Sequence, residues 1–178
     1  AYAVQIVVTD AGGLNQTKNF TINVRNVNEA PTVTTTSGTV SYTENGDAVA
    51  IDPTLSLSDI DSTTLAQATV SIQGYNPQEQ LSFTSPTGSG IIGSFNAATG
   101  VLTLQGNASL AAYQAALRSV TYKNLSDAPS TTPRTIQFSV NDGTLVSNTA
   151  VRAVQVIPVN DVPVVTPSIS SLIVTPGE

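Results

Sequence analysis

No cysteine, histidine, methionine or tryptophan occurs among the 178 residues. Without cysteine there is no disulfide framework and no thiolate to serve as nucleophile or metal ligand. Without histidine, the commonest general base is missing as well. Charge is sparse: Asp, Glu, Lys and Arg make up 10% of the chain, against about a quarter in an average soluble domain. What charge there is leans acidic, with a formal net of −6 and a pI near 4.3. That argues against nucleic acid or an anionic membrane surface as partner, because both select basic patches. It suits the binding of cations. No apolar run reaches the roughly 20 residues of a membrane-spanning helix, and no secretory signal pattern is seen. The chain opens inside an alternating run, so it is expected to be an excerpt whose targeting segment lies elsewhere. Lack of cysteine does not exclude secretion.

Hydrophobic residues make up 40% of the chain, enough for a packed core. Ser, Thr and Asn fill the surface in place of charge. The most informative feature is a short stretch that occurs twice, as Val27-Asn28-Glu29-Ala30-Pro31 and as Val159-Asn160-Asp161-Val162-Pro163. Asn28 and Asn160 are 132 positions apart (160 − 28), as are Asp10 and Asp142, and Pro31 and Pro163. One spacing shared by three features marks an internal repeat. The expected organisation is the closing hairpin of one repeat over residues 1–29, a complete repeat over 30–162, and the start of another over 163–178.

Residues 2–9 and 18–26 alternate around Asp10-Ala11-Gly12-Gly13, the pattern of a β-hairpin. Thr32–Thr43 is expected as a first strand, followed by a turn at Glu44-Asn45-Gly46-Asp47 and a short strand over 48–51. Further strands are expected over 68–73, 80–84, about 95–104 with a turn at Thr99-Gly100, 119–123, 134–141 and 148–157, and another over 164–175. One segment breaks the pattern. Ser109 is placed to cap a helix over 110–118, with Leu110, Tyr113 and Leu117 facing the core. The whole predicts an all-β fold: an antiparallel Greek-key β-sandwich of about seven strands with one short helix.

Thr9-Asp10-Ala11-Gly12-Gly13-Leu14 and the run from Ile22 to Pro31 resemble the end of a cadherin-type repeat. Tyr113 to Leu117 running into Val120-Thr121-Tyr122, and Arg134 to Gly143, are similar to the cadherin-like repeats of large bacterial surface and adhesion proteins. The resemblance covers nearly the whole chain. It implies tandem sandwiches on an extracellular protein, joined end to end with Ca²⁺ at the joints. It also implies two ligand sets. The first is Asn28 and Glu29 of one seam with Asp59, Asp61 and Asp142. The second is Glu44 and Asp127 with Asn160 and Asp161. The sequence departs from the family at Asn26 and Pro158, where an acid is common, and has no counterpart of the Asp-Arg-Glu motif around Asp127.

Calcium takes about six to eight oxygen ligands, and Asp59 and Asp61, two apart in one loop, are able to converge on one ion. The competing reading of that loop is Asx-turn chemistry, and for Asp142 it is an ordinary Asp-Gly hairpin turn. Three functions follow as expectations. The first is a calcium-rigidified structural and adhesive repeat at the cell surface, with neighbouring repeats of the same chain as its partners. The second is a filament subunit that pairs strands with other copies of itself. The third is a module that binds cell-surface glycans. An enzymatic role is not expected: a carboxylate pair such as Asp59 and Asp61 could serve glycoside hydrolysis, but it is explained as ion ligands, and nothing supplies a cleft with aromatic platforms.

Overall fold

The computed structural model describes residues 1–163; the strand expected over 164–175 lies outside them. The chain begins with a hairpin of β1 (Tyr2–Thr9) and β2 (Asn15–Ile22). Two strands follow where one was expected, β3 (Thr32–Thr34) and β4 (Thr39–Thr43). Then come β5 (Val49–Ala50), β6 (Ser56–Ser58), β7 (Thr64–Gln73), β8 (Glu79–Ser82), β9 (Ile92–Asn96) and β10 (Val101–Ser109). The helix α1 (Leu110–Arg118) leads into β11 (Thr121–Asn124), β12 (Arg134–Asn141) and β13 (Ala150–Ile157).

A six-stranded sheet in the order β4-β13-β12-β7-β10-β9 faces a three-stranded sheet, β5-β11-β8. Side chains meet across the gap: Tyr42 of β4 stands edge-on to Tyr122 of β11, with ring centroids 5.5 Å apart. The Tyr42 hydroxyl donates to the Asn124 carbonyl at 2.8 Å. One continuous core runs between the sheets. The period-2 pattern explains how it fills: Ile136, Phe138 and Val140 of β12 are buried while Thr135, Gln137 and Ser139 between them are less so. The fold is the expected all-β sandwich. Its strands number more than about seven because several are short pieces interrupted by turns. One pairing departs from an antiparallel sandwich: β4 runs parallel to β13, from Ala153↔Thr39 to Ile157↔Thr43.

The break between β3 and β4 has a physical cause. β3 pairs with β6 while β4 pairs with β13, so the chain changes partners between Thr34 and Thr39. Gly38 takes the left-handed φ of 90° that the crossing needs. The Arg152 guanidinium holds the exposed carbonyls of Thr36, Ser37 and Gly38. The inward positions change parity across the break, from Val33 in β3 to Val40 and Tyr42 in β4.

The helix forms where expected. Ser109 Oγ accepts the Ala112 N–H at 3.2 Å, and Tyr113, Ala116 and Leu117 are buried. Ser119 ends it, donating from its N–H to the carbonyls of Ala115 and Ala116. Just before the helix, β10 carries a bulge between Gln105 and Ala108. Gly106 sits in it at φ 139°, where an added Cβ would lie 2.6 Å from the Gly90 carbonyl oxygen. The Tyr113 hydroxyl donates to the Gly106 carbonyl at 2.7 Å, tying bulge to helix.

Candidate functional site

At one pole of the sandwich three segments distant in sequence meet: the seam from Asn26 to Asn28, the loop after β6, and the turn between β12 and β13. Asn28 Nδ2 donates to Asp142 Oδ2 at 2.7 Å. Asn26 Nδ2 donates to Asp61 Oδ2 at 2.8 Å, and Ser62 Oγ lies 3.4 Å from Asn28 Oδ1. The acidic loop is closed by the N–H groups of Asp61 and Ser62, which donate to Asp59 Oδ1 at 3.1 and 2.8 Å. This is the Asx-turn chemistry of short polar loops. The Asp142 turn is built the same way, with the N–H groups of Thr144 and Leu145 on its Oδ1.

The electrostatics follow from these contacts. Burial works to raise the Asp59 pKa, but the N–H groups of Ser62 and Asp61, with the Asp61 side chain, outweigh it and leave it below the usual value. The nearby Asp142 charge pushes the other way. Asp142 is itself held low, first by the Leu145 N–H and then by the Asn28 amide and the Thr144 N–H. Both carboxylates are therefore ionised at neutral pH. Two of the cluster's oxygens, Asp59 Oδ2 and Asp61 Oδ1, are shut off from solvent and have no hydrogen-bond donor. A buried acceptor without a partner carries a real cost, and a hard cation satisfies such oxygens.

Asn28, Asp59, Asp61 and Asp142 are thus brought together, with Asn26 and Ser62 added. Asn26 was singled out in the sequence only as a departure from an acidic position; its amide here faces an acid instead of supplying one. Glu29 is exposed. Its backbone carbonyl accepts from Asn28 Nδ2 at 3.3 Å, and no hydrogen bond of its carboxylate occurs among the described residues. No group of three or more acidic side chains converges on one point among the described residues. The amides of Asn26 and Asn28 each donate to one carboxylate, Asp61 and Asp142, and leave it charged.

At the other seam, Glu44 is 3% exposed. Its Oε2 accepts the Val159 N–H at 2.7 Å, while its Oε1 is buried without a donor. Glu44 shares its inward face with Val40 and Tyr42, a parity that signals burial. Asn160 Nδ2 donates to the Asp161 carbonyl at 3.4 Å, as Asn28 does to that of Glu29, so the two seams share a local geometry. Asp127 is exposed in the connection from β11 to β12, and no hydrogen bond links it to Glu44. Asp161 is exposed too.

Sequence reasoning missed a second polar cluster. Glu79 has no solvent exposure. Its Oε1 accepts from Arg134 Nε at 2.5 Å and from the Tyr122 hydroxyl at 2.6 Å, and its Oε2 from the Asn76 N–H at 2.7 Å. The available signal was again parity, since Glu79 lies two before the buried Leu81 and Arg134 two before the buried Ile136.

No helix among the described residues is long and apolar enough to cross a membrane. No family model matches the chain. The chain is similar to halomucin of the organism Haloquadratum walsbyi, with 38% identity over 125 residues, which is 65% of this chain and 1% of halomucin. The chain thus spans only about 1% of the length of the curated relative it matches.

Proposed function

We propose that this chain is a calcium-rigidified structural and adhesive repeat of a long cell-surface protein. The observation that carries the reading is the pair of buried, undonated oxygens on Asp59 and Asp61, set beside Asn28 and Asp142 where the seam meets the sandwich. Asp59, Asp61 and Asp142, which do not converge on one point here, would draw together around the ion, and turning the Asn28 amide over would present its Oδ1 in place of its Nδ2. Glu44, with Asn160 and Asp161, forms the matching half-site at the other seam. The ion contributes order: it ties a flexible seam to loops of the following domain and couples binding to folding. The similarity to a stretch amounting to 1% of a very long relative fits a repeat module, and the cadherin-like resemblance fits the place of the acids. Neighbouring repeats of the same chain are the partners in this reading, and no catalytic role belongs to it.

Thermal melting in millimolar Ca²⁺ and in excess chelator tests the proposal. Ca²⁺ is expected to stabilise the parent by about 2.7 kcal/mol when present at about a hundred times its Kd. An Asp59→Asn/Asp61→Asn variant is expected to lose that gain. Equal melting of the parent with Ca²⁺ and with chelator would overturn the reading and leave the acids as ordinary loop residues.

A further inference from the structure

The hairpin β1–β2 has the same register as β12–β13. Adding 132 to Tyr2↔Ile22 gives Arg134↔Val154, and adding it to Ile6↔Lys18 gives Phe138↔Ala150, both of which are observed pairs. The faces correspond as well. In β12–β13, Ile136, Phe138, Val140, Val154 and Val156 are at most 1% exposed. Their counterparts 132 positions earlier are Val4, Ile6, Val8, Ile22 and Val24, all apolar, and these are between 37% and 68% exposed. The same face carries Lys18 beside Ile6, and the opposite face is mostly polar, with Gln5, Thr9, Asn15, Thr17, Asn19 and Thr21 beside Ala3 and Val7. Five exposed apolar side chains gathered on one face mark an interaction surface. Both outer edges of β1–β2 are also unpaired, whereas β12 pairs with β7 and β13 with β4.

Among the differences between the hairpins, two bear on charges that this repeat holds in place. Where β12 has Arg134, which neutralises the buried Glu79, β1 has Tyr2. Where β13 has Arg152, which holds the carbonyls of Thr36 to Gly38, β2 has Phe20. If β1–β2 of another copy replaced β12–β13, Glu79 would be left buried without its cation, a strongly unfavourable state. A second copy of this repeat is therefore a poor acceptor.

We propose that β1–β2 docks as the closing hairpin of a different repeat of the same architecture. That partner lays a β7-like strand antiparallel along β1 and a β4-like strand parallel along β2, and it carries a neutral residue where this repeat has Glu79. The Glu79–Arg134 pair then acts as a key that keeps each hairpin in its own sandwich. The inference rests on the repeat part of the function proposed above and is independent of the cation.

The test joins a second copy of residues 30–132 directly ahead of Ala1 of the full chain, so that β1–β2 falls where β12–β13 stand. One version carries Glu79→Gln in the added copy and one is unaltered. Backbone hydrogen exchange is read in chelator, so that a failure of calcium binding is seen separately. In the Glu79→Gln version the amides of β1 and β2 are expected to exchange at least about a hundredfold more slowly than in the chain alone. The unaltered version is expected to protect them less. Adding Ile6→Asp and Ile22→Asp is expected to abolish that protection while the amides of Arg134–Asn141 in the intact repeat stay protected. Unchanged exchange in both versions, equal protection in both, or protection surviving the two aspartates would overturn the proposal. So would protection of β1–β2 in the chain alone that grows with concentration, which would make a second copy the occupant.

Discussion

Glu79 is a carboxylate removed from solvent, and three donors meet it there. Burial works against the Arg134 charge, but Glu79 outweighs it and leaves the Arg134 pKa raised. Burial, and then Glu79, also raise the Tyr122 pKa, so the hydroxyl keeps its proton and donates. Such a pair is weak evidence for stability when intact, yet breaking it from one side leaves a bare buried charge. Arg134→Met is expected to destabilise the chain by about 3–5 kcal/mol, and Arg134→Met with Glu79→Leu by clearly less, both read from urea melts. The acids at the seam behave differently. Asp59 and Asp142 have lowered pKa values when folded. Their contribution is complete above the unfolded carboxylate value of about 3.9 and is lost as pH falls through the lower folded values. In chelator, an Asp59→Asn/Asp142→Asn variant is therefore expected to show a shallower loss of urea midpoint below about pH 4 than the parent. An identical decline in the two proteins would contradict the hydrogen bonding described at that pole.

Among the elements, α1 and the hairpin β12–β13 were the most legible in the sequence. The helix had every local signal at once: a capping Ser109, strong helix formers, and core positions at Tyr113 and Leu117. Removing the cap by Ser109→Ala is expected to cost about 1 kcal/mol, seen as a fall in the urea midpoint without a change in slope. The strands of β12 and β13 followed from alternation alone, because both have one buried face. The less legible elements were those whose limits are set by partners. β7 starts at Thr64, four residues ahead of the expected start at 68, because Leu65 is buried and Thr64 pairs with Ser109 beyond the bulge. The expected strand over residues 32–43 divides because its two halves join different sheets. The parallel pairing of β4 with β13 leaves no local mark at all.

At the scale of the molecule, the repeat was visible in the sequence through one spacing, and the hairpins carry the same spacing into register. The pole was legible in part. Asn28, Asp59, Asp61 and Asp142 lie together, since a sandwich places alternate connections at one end, whereas the Glu29 carboxylate makes no hydrogen bond to them. The Asn26 amide and the Ser62 hydroxyl were not foreseen, because their role depends on which way a seam folds back over a loop. The seam itself, residues 23–31, has no strand. It is held to the following domain by hydrogen bonds from Asn26 and Asn28, which are exposed or half-exposed and compete with water. In the function proposed above, a cation replaces these bonds and removes the hinge. Backbone NMR relaxation of Val24 to Ala30 tests it most directly, with saturating Ca²⁺ and with chelator. The order parameters are predicted to rise from below about 0.6 in chelator to about 0.85 with the ion. Order parameters that stay the same in both conditions would contradict it.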